Sequence, residues 1–271
     1  MIKILFSDLD GTLLDNENTE RGFVKPENVE AIKKLETQGI HFAIATSRSY
    51  DFLGTRMQLD KPFDTVAFNG NLVLCGDHII DCVTFSDEEV NTLVNIFGCK
   101  EDNMSMFITK ENDCVFYDYN YPSVQNYILE YPDDHDVREF VKVPLLEHMK
   151  KNEYCFILGD FITKEATDLV RKRMLDFTDV QYIDITTHSF TVTKDYHDKV
   201  TGILKIADYY GIKKDEIAVI GDSFNDVGML SYFKESYCMS HAPNEVKDCA
   251  KYVVDSVAEC ISIIMNKELS N

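Results

Sequence analysis

A chain of 271 residues with 45% hydrophobic content is long enough for one large domain or two modest ones, each with a full core. The formal net charge of -20 argues against a nucleic-acid backbone or an anionic membrane as partner, because both are bound by basic surfaces. No segment approaches the roughly 18 uninterrupted apolar residues of a membrane span, and Asp8 and Asp10 arrive too early for a signal peptide, so a cytoplasmic protein is expected. The eight cysteines form no CxxC pair and have no histidines at zinc spacing, which suits buried free thiols of a reducing compartment.

The chain opens with an apolar run, Ile2 to Phe6, that reads as a short buried strand and ends in Asp8, Asp10, Gly11 and Thr12. Side chains alternate along a strand, so Asp8 and Asp10 are expected to leave its tip toward one small volume while Leu9 points back into the core. Two ionised carboxylates held that close repel and call for a cation. Oxygen ligands of this kind suit Mg2+, which fills the rest of its shell with water and substrate phosphate. Alone, this DxDG is also an ordinary turn.

Thr19 to Val24 reads as a loop, and Pro26 opens a helix with an apolar face at Val29, Ile32 and Leu35 that stops at Gly39. Ile40 to Ala45 is a second buried strand ending in Thr46-Ser47-Arg48, so the chain begins as a βαβ unit with a parallel sheet. Asp51 to Leu59 reads as a helix, Thr65 to Phe68 as a third strand ending in Asn69-Gly70, and Asn71 to Cys82 as a hairpin. Three strands ending in polar residues are the mark of an open α/β sheet with its site at the strand C-termini.

From about Thr84 helices alternate with strands of antiparallel character. Helices are expected at Asp87 to Phe97, Ser123 to Glu130 and Lys164 to Phe177, and strands at Met104 to Thr109, Cys114 to Tyr119, Tyr154 to Leu158, Val180 to Ile185 and Phe190 to Val192. This stretch reads as an α+β module inserted into the first domain, and its acidic run, 133–136, as a solvated loop. The first texture then returns: a helix from Lys199, a strand Ile217 to Ile220 running into Gly221-Asp222-Ser223-Phe224-Asn225-Asp226, a short strand Tyr252 to Val254 and a closing helix Val257 to Lys267.

Asp222, Asn225 and Asp226 repeat the logic of the first strand, with oxygen ligands at a strand end on a glycine turn, and complete a shell for one Mg2+ with Asp8 and Asp10. A lysine at a helix start is usually solvated, and a threonine after a strand is often only a helix N-cap. In a phosphoryl-transfer site, Lys199 would instead be a fixed cation and the Thr46 hydroxyl a phosphoryl ligand.

The order DLDGT (8–12), Thr46, Lys199 and GDSFND (221–226) resembles the haloacid dehalogenase-like hydrolase superfamily. The insertion between Thr46 and Lys199 is similar to the type IIB cap of its Cof-type phosphatases. The resemblance implies a Rossmann-like parallel-sheet core, 1–83 and 193–271, and an α+β cap, 84–192. It implies that Asp8 is the nucleophile, that Asp10 is the acid and then the base, and that Asp8, Asp10, Asp222 and Asp226 hold Mg2+. Around the phosphoryl group it puts Thr46 and Lys199 with Gly11 and Asn225, and next to them Ser47, Arg48 and Asn69. Two features depart from the pattern: Ser47 stands where glycine is usual, so either Thr46 or Ser47 supplies the hydroxyl, and Val200 follows Lys199 where glycine is common. An acid two residues from the nucleophile suits a phosphate ester, because an alkoxide leaves poorly without a proton. The expected function is a Mg2+-dependent phosphatase of small phosphorylated metabolites, sugar phosphates first, with a small-molecule partner and a monomeric state. The alternatives are a phosphomutase on the same scaffold and a non-catalytic metabolite-binding regulator.

Overall fold

The structure, a computed structural model, describes residues 1–15, 23–48, 63–97, 103–109, 114–116, 154–161, 164–174, 180–184, 189–194 and 197–269. The chain divides into two compact units, Met1–Asp81 with His197–Asn271, and Cys82–Tyr196. The first unit opens with β1 (Ile4–Ser7), β2 (Leu14–Asp15), β3 (Phe23–Val24), α1 (Pro26–Thr37), β4 (His41–Ala45), β5 (Asp64–Ala67), β6 (Leu72–Cys75) and β7 (His78–Cys82). The second holds α2 (Asp87–Phe97), β8 (Asn103–Thr109), β9 (Cys114–Phe116), β10 (Tyr154–Phe161), α3 (Lys164–Met174), β11 (Val180–Asp184) and β12 (Ser189–Lys194). The chain then returns with α4 (Lys199–Tyr209), β13 (Ile217–Gly221), α5 (Val227–Tyr232), β14 (Glu235–Met239), α6 (Asn244–Lys247), β15 (Tyr252–Val254) and α7 (Val257–Leu269).

The first unit is built on one eight-stranded sheet in the order β15-β14-β13-β1-β4-β5-β6-β7. From β15 to β5 every pairing is parallel, and β6 turns back antiparallel on β5. All four residues of β1 are buried, because helices cover both faces. Leu5 packs into one core with Ile32 and Leu35 of α1 and Ile261 and Ile264 of α7. Ile4 and Phe6 alternate into the other, with Ile203 and Ile206 of α4 and Met229 of α5. The second unit carries an antiparallel sheet, β11-β12-β10-β8-β9, with α3 packed against α2 and β10. Within that unit Lys194 pairs with Glu89 of α2.

Two local expectations are corrected. Phe23–Val24 is not loop but a strand paired with Leu14–Asp15, which ties down the chain after the DLDGT turn. The stretch between Asp226 and Tyr252, in which no element was expected, contains α5, β14 and α6, and β14 lies between β13 and β15 as a fully parallel strand. The expected helices at 51–59 and 123–130 and the acidic run 133–136 lie outside the described residues. Among the described residues no helix is long and apolar enough to cross a membrane, and Cys75, Cys82, Cys238, Cys249 and Cys260 are in no disulfide.

Candidate active site

The sheet order reverses at β1. The chain runs outward through β4 and β5 on one side and, after the second unit, through β13, β14 and β15 on the other. The crevice beyond the carboxyl ends of β1 and β13 is therefore a topological switch point, where open α/β sheets bind ligands. Asp8 follows β1 there, its N–H bonded to the carbonyl of Ile220 in β13 at 2.9 Å. It shares the parity of Ile4 and Phe6 and so faces the side covered by α4. Leu9 turns back into the opposite core, as its alternation predicts.

Lys199, the first residue of α4, is 2% exposed, which rules out a solvated lysine. Its Nζ donates to Asp8 Oδ1 at 2.5 Å and to Asp226 Oδ1 at 2.6 Å. A cation at the positive end of a helix is locally unfavourable, a cost that the capping carboxylate of Asp198, on Thr201 N–H at 2.8 Å, offsets in part. The carboxylates of Asp8 and Asp226 opposite hold the ammonium in its place.

The loop after β13 wraps around Asp226. Asp226 Oδ2 accepts from the N–H groups of Asp222 and Ser223, both at 3.0 Å, and Ser223 Oγ bonds to Asn225 Oδ1. Asp226 packs so closely on Gly221 that a Cβ there would lie 2.5 Å from its Cγ. Asp222 Oδ1 accepts from Thr12 Oγ1 at 3.0 Å, and His241 Nε2 lies 3.4 Å from Asp222 Oδ2. Gly11 has a φ of 79°, and a Cβ on it would fall 2.4 Å from Asp222 Oδ2. Gly11→Ala is expected to cost about 1–2 kcal/mol from the left-handed backbone alone and to push Asp222 off Thr12. A denaturant midpoint equal to that of the wild type would contradict this.

One oxygen each of Asp8, Asp222 and Asp226 lie within 4.8 Å of one another. Three carboxylates against one ammonium leave an excess of two negative charges in a mostly buried pocket. Burial, with the neighbouring Asp226, pushes the Asp8 carboxyl well above the usual range even though Lys199 pulls it down. Burial likewise raises Asp222, against the bond from Thr12. For Lys199 desolvation alone would lower the value, but Asp226 and Asp8 overcome it and hold the ammonium protonated. The opposite consequences for the two partners are consistent, because one lysine is shared by two carboxylates and cannot balance both. This donor set of hard oxygens with two surplus charges fits a small divalent cation.

The remaining candidates gather around the ends of β4 and β5. Thr46 is fully buried, with Oγ1 accepting from Arg48 N–H at 3.0 Å, and Ser47 is partly exposed. Arg48 does not stand alone as a surface cation: it grips Asp10, Nε to Oδ2 at 2.6 Å and Nη2 to Oδ1 at 2.8 Å. The carboxylate of Asp10 thus has its own counter-ion and is not one of the three gathered acids. The alternation carries no further than Leu9, where the chain turns, the Leu9 carbonyl accepting from the N–H of Leu13 and of Leu14. Asn69 is 4% exposed with φ 54°, its N–H bonded to the Thr46 carbonyl at 3.0 Å and its Oδ1 buried without a hydrogen-bond partner among the described residues.

Two residues at the site had no expected role. Thr12 sits inside the DLDGT turn, where its hydroxyl is indistinguishable from a turn former. His241 follows β14, and recognising that strand would have flagged it as another polar residue at a parallel strand's carboxyl end.

Residues 5–264 match the model of the haloacid dehalogenase-like hydrolases. A Haemophilus influenzae protein is 27% identical over 259 residues, which cover 93% of this chain and 92% of that protein. Phosphoglycolate phosphatase 1 of Saccharolobus solfataricus is 24% identical over 261 residues, covering 94% of this chain and 90% of the relative. Among solved structures, a Bacteroides thetaiotaomicron protein studied among phosphatases of the haloalkanoate enzyme superfamily superposes with a TM-score of 0.77 at 26% identity, over 100% of this chain and 96% of that one. With a family match that runs from β1 into α7, the chain belongs to the haloacid dehalogenase-like hydrolases.

Proposed function

We propose that the protein is a Mg2+-dependent phosphatase of small phosphorylated metabolites, sugar phosphates foremost. The observation that carries this reading is the gathering of Asp8, Asp222 and Asp226 around one buried lysine at the sheet's switch point. In this reading Asp8, Asp222 and Asp226, with the main chain at Asp10, hold the cation, which when bound neutralises charge on the phosphoryl oxygens.

Asp8 attacks phosphorus with a carboxylate oxygen, the bond to the ester oxygen breaks, and Asp10 gives that oxygen its proton. Asp10 then takes a proton from water, the water oxygen attacks phosphorus, and the Asp8–phosphorus bond breaks to release phosphate and restore both acids. Lys199 holds an equatorial oxygen throughout, and the Thr46 hydroxyl donates to another. The second unit, Cys82–Tyr196, acts as the cap that shields the first step from water. The Saccharolobus relative is named for phosphoglycolate, itself a small phosphate monoester, and this supports the substrate class.

The test is phosphate release from sugar phosphates, phosphoglycolate, nucleotides and an aryl phosphate, each with Mg2+ and with chelator. Release that depends on the metal is expected, and no release from any ester would overturn the reading. Cation binding should also relieve the surplus charge. At about 100 times its Kd, Mg2+ is expected to stabilise the fold by ~2.7 kcal/mol, seen as a rise in Tm of several degrees that chelator reverses. An unmoved Tm at saturating Mg2+ would count against the acidic cluster as the metal site.

A further inference from the structure

Asp10 is held by a planar fork on both carboxylate oxygens, the geometry in which a guanidinium fixes orientation as well as charge. The fork is anchored in turn. Arg48 N–H donates to Thr46 Oγ1, and the Arg48 carbonyl accepts from Phe68 N–H at 3.2 Å. Phe68 and Asn69 both sit in left-handed backbone, φ 49° and 54°, which non-glycine residues keep only where the surroundings over-determine them. The ends of β4 and β5 are thus braced on the backbone of the residue whose guanidinium grips Asp10.

We propose that Arg48 is the positioning residue of the acid–base carboxylate and not a ligand of the phosphoryl group. The proposal rests on the reading of Asp10 as acid and base given above. Each carboxylate oxygen has two lone pairs, so the fork takes one on each oxygen and leaves the other free to carry the proton that passes between Asp10 and the leaving oxygen. The fork meanwhile keeps the carboxyl aimed as that proton moves. The contribution of Arg48 then appears only in steps where Asp10 moves a proton, and a leaving group that needs no proton escapes it.

The experiment measures kcat/KM, which reports the steps up to transfer onto Asp8, for a series of esters from alkyl phosphates to dinitrophenyl phosphate. Wild type, Asp10→Asn, Arg48→Met, Arg48→Lys and the Asp10→Asn/Arg48→Met double variant are compared, together with inhibition by inorganic phosphate. Arg48→Met is expected to lose about 100-fold on alkyl esters and less than about threefold on dinitrophenyl phosphate, with phosphate inhibition unchanged. Arg48→Lys, a point charge without the fork, should recover only part of the loss. The double variant should be no worse than Asp10→Asn alone.

A loss in Arg48→Met that is uniform across leaving groups, with weaker phosphate inhibition, would overturn the proposal and make Arg48 a phosphoryl ligand. Leaving-group dependence in Asp10→Asn but not in either Arg48 variant would overturn it while sparing the acid–base reading. If Asp10→Asn itself leaves alkyl esters untouched, that reading falls and the proposal with it. Arg48→Lys keeps the charge, so the comparison survives should Arg48→Met fold poorly.

Discussion

An Asp8→Asn variant is expected to lose phosphate release on the order of 10⁴-fold or more while melting no lower than the wild type. The amide keeps an oxygen for Lys199 Nζ, so the 2.5 Å contact has an acceptor in the variant too. What goes is the proposed nucleophile and one buried charge. That charge is costly where it stands, because burial and Asp226 push the Asp8 carboxyl up. A carboxyl whose value is raised in the folded state binds its proton more tightly there than in the unfolded chain. Its contribution to stability is present at acid pH and is lost as pH rises from the ordinary carboxylate value, 3.8, through the raised one. Above that window the asparagine variant should therefore be the more stable protein in the absence of metal. Residual turnover within tenfold of the wild type would remove Asp8 from the mechanism, and a Tm well below the wild type at neutral pH would contradict the electrostatic account.

Lys199→Met should be damaging on both counts. The methionine fits the volume but leaves Asp8 and Asp226 facing each other without their shared cation, both nearly or fully buried. Breaking a buried pair by removing one partner costs about 3–5 kcal/mol, a large part of a typical total of roughly 5–15 kcal/mol. Asp8, whose carboxyl is already raised by burial, can recover some of this by binding a proton, so the deficit should be smallest in acid and grow toward neutral pH. Turnover should be lost as well, since no other lysine faces Asp8 in the described site. Denaturant midpoints measured across pH decide the matter. A shift under about 1 kcal/mol, or one that does not vary with pH, would mean that the pair is solvated in solution and that Lys199 is not the fixed cation.

The parts of the site that were legible in the sequence are those in which a largely apolar strand meets an abrupt change of chemistry. Ile4–Ser7 into Asp8, His41–Ala45 into Thr46, and Ile217–Gly221 into Asp222 each announce a strand end. A strand end at a parallel sheet's carboxyl edge says where its residues will meet. β14 gave no such signal, because Glu235-Ser236-Tyr237-Cys238-Met239 has polar groups that a buried strand should not carry. Their satisfaction comes from elsewhere: Lys267 of α7 donates to Glu235 Oε2 at 2.6 Å and to the Tyr237 hydroxyl at 3.1 Å, and Lys251 reaches Glu235 Oε1 at 2.5 Å. A partner 32 residues away has no periodicity to betray it. Missing β14 also hid His241, which that strand delivers to Asp222. The grip of Arg48 on Asp10 was out of reach for a different reason. Strand alternation predicts directions only while the strand lasts, and Asp10 lies beyond its end, in a turn.

The pairing of β1 with β13, Ile4 opposite Ile217, ties the order of synthesis to the appearance of activity. A nascent chain that has emerged through α3 already carries Asp8, Thr46 and Arg48, yet half of every β1 residue's ladder is missing and the lysine has not been made. Such a chain presents an apolar strand with one open edge, the kind of edge that templates aggregation. The whole inserted unit lies within the loop that β13 must close, but closure entropy grows only logarithmically, by about 0.6 kcal/mol per doubling of length. The insert can therefore change in size at little cost to the core, whereas a chain that stops before Ile217 has no catalytic centre and an unprotected sheet. In refolding from denaturant, catalytic activity should return with the latest phase, when the two ends of the chain meet.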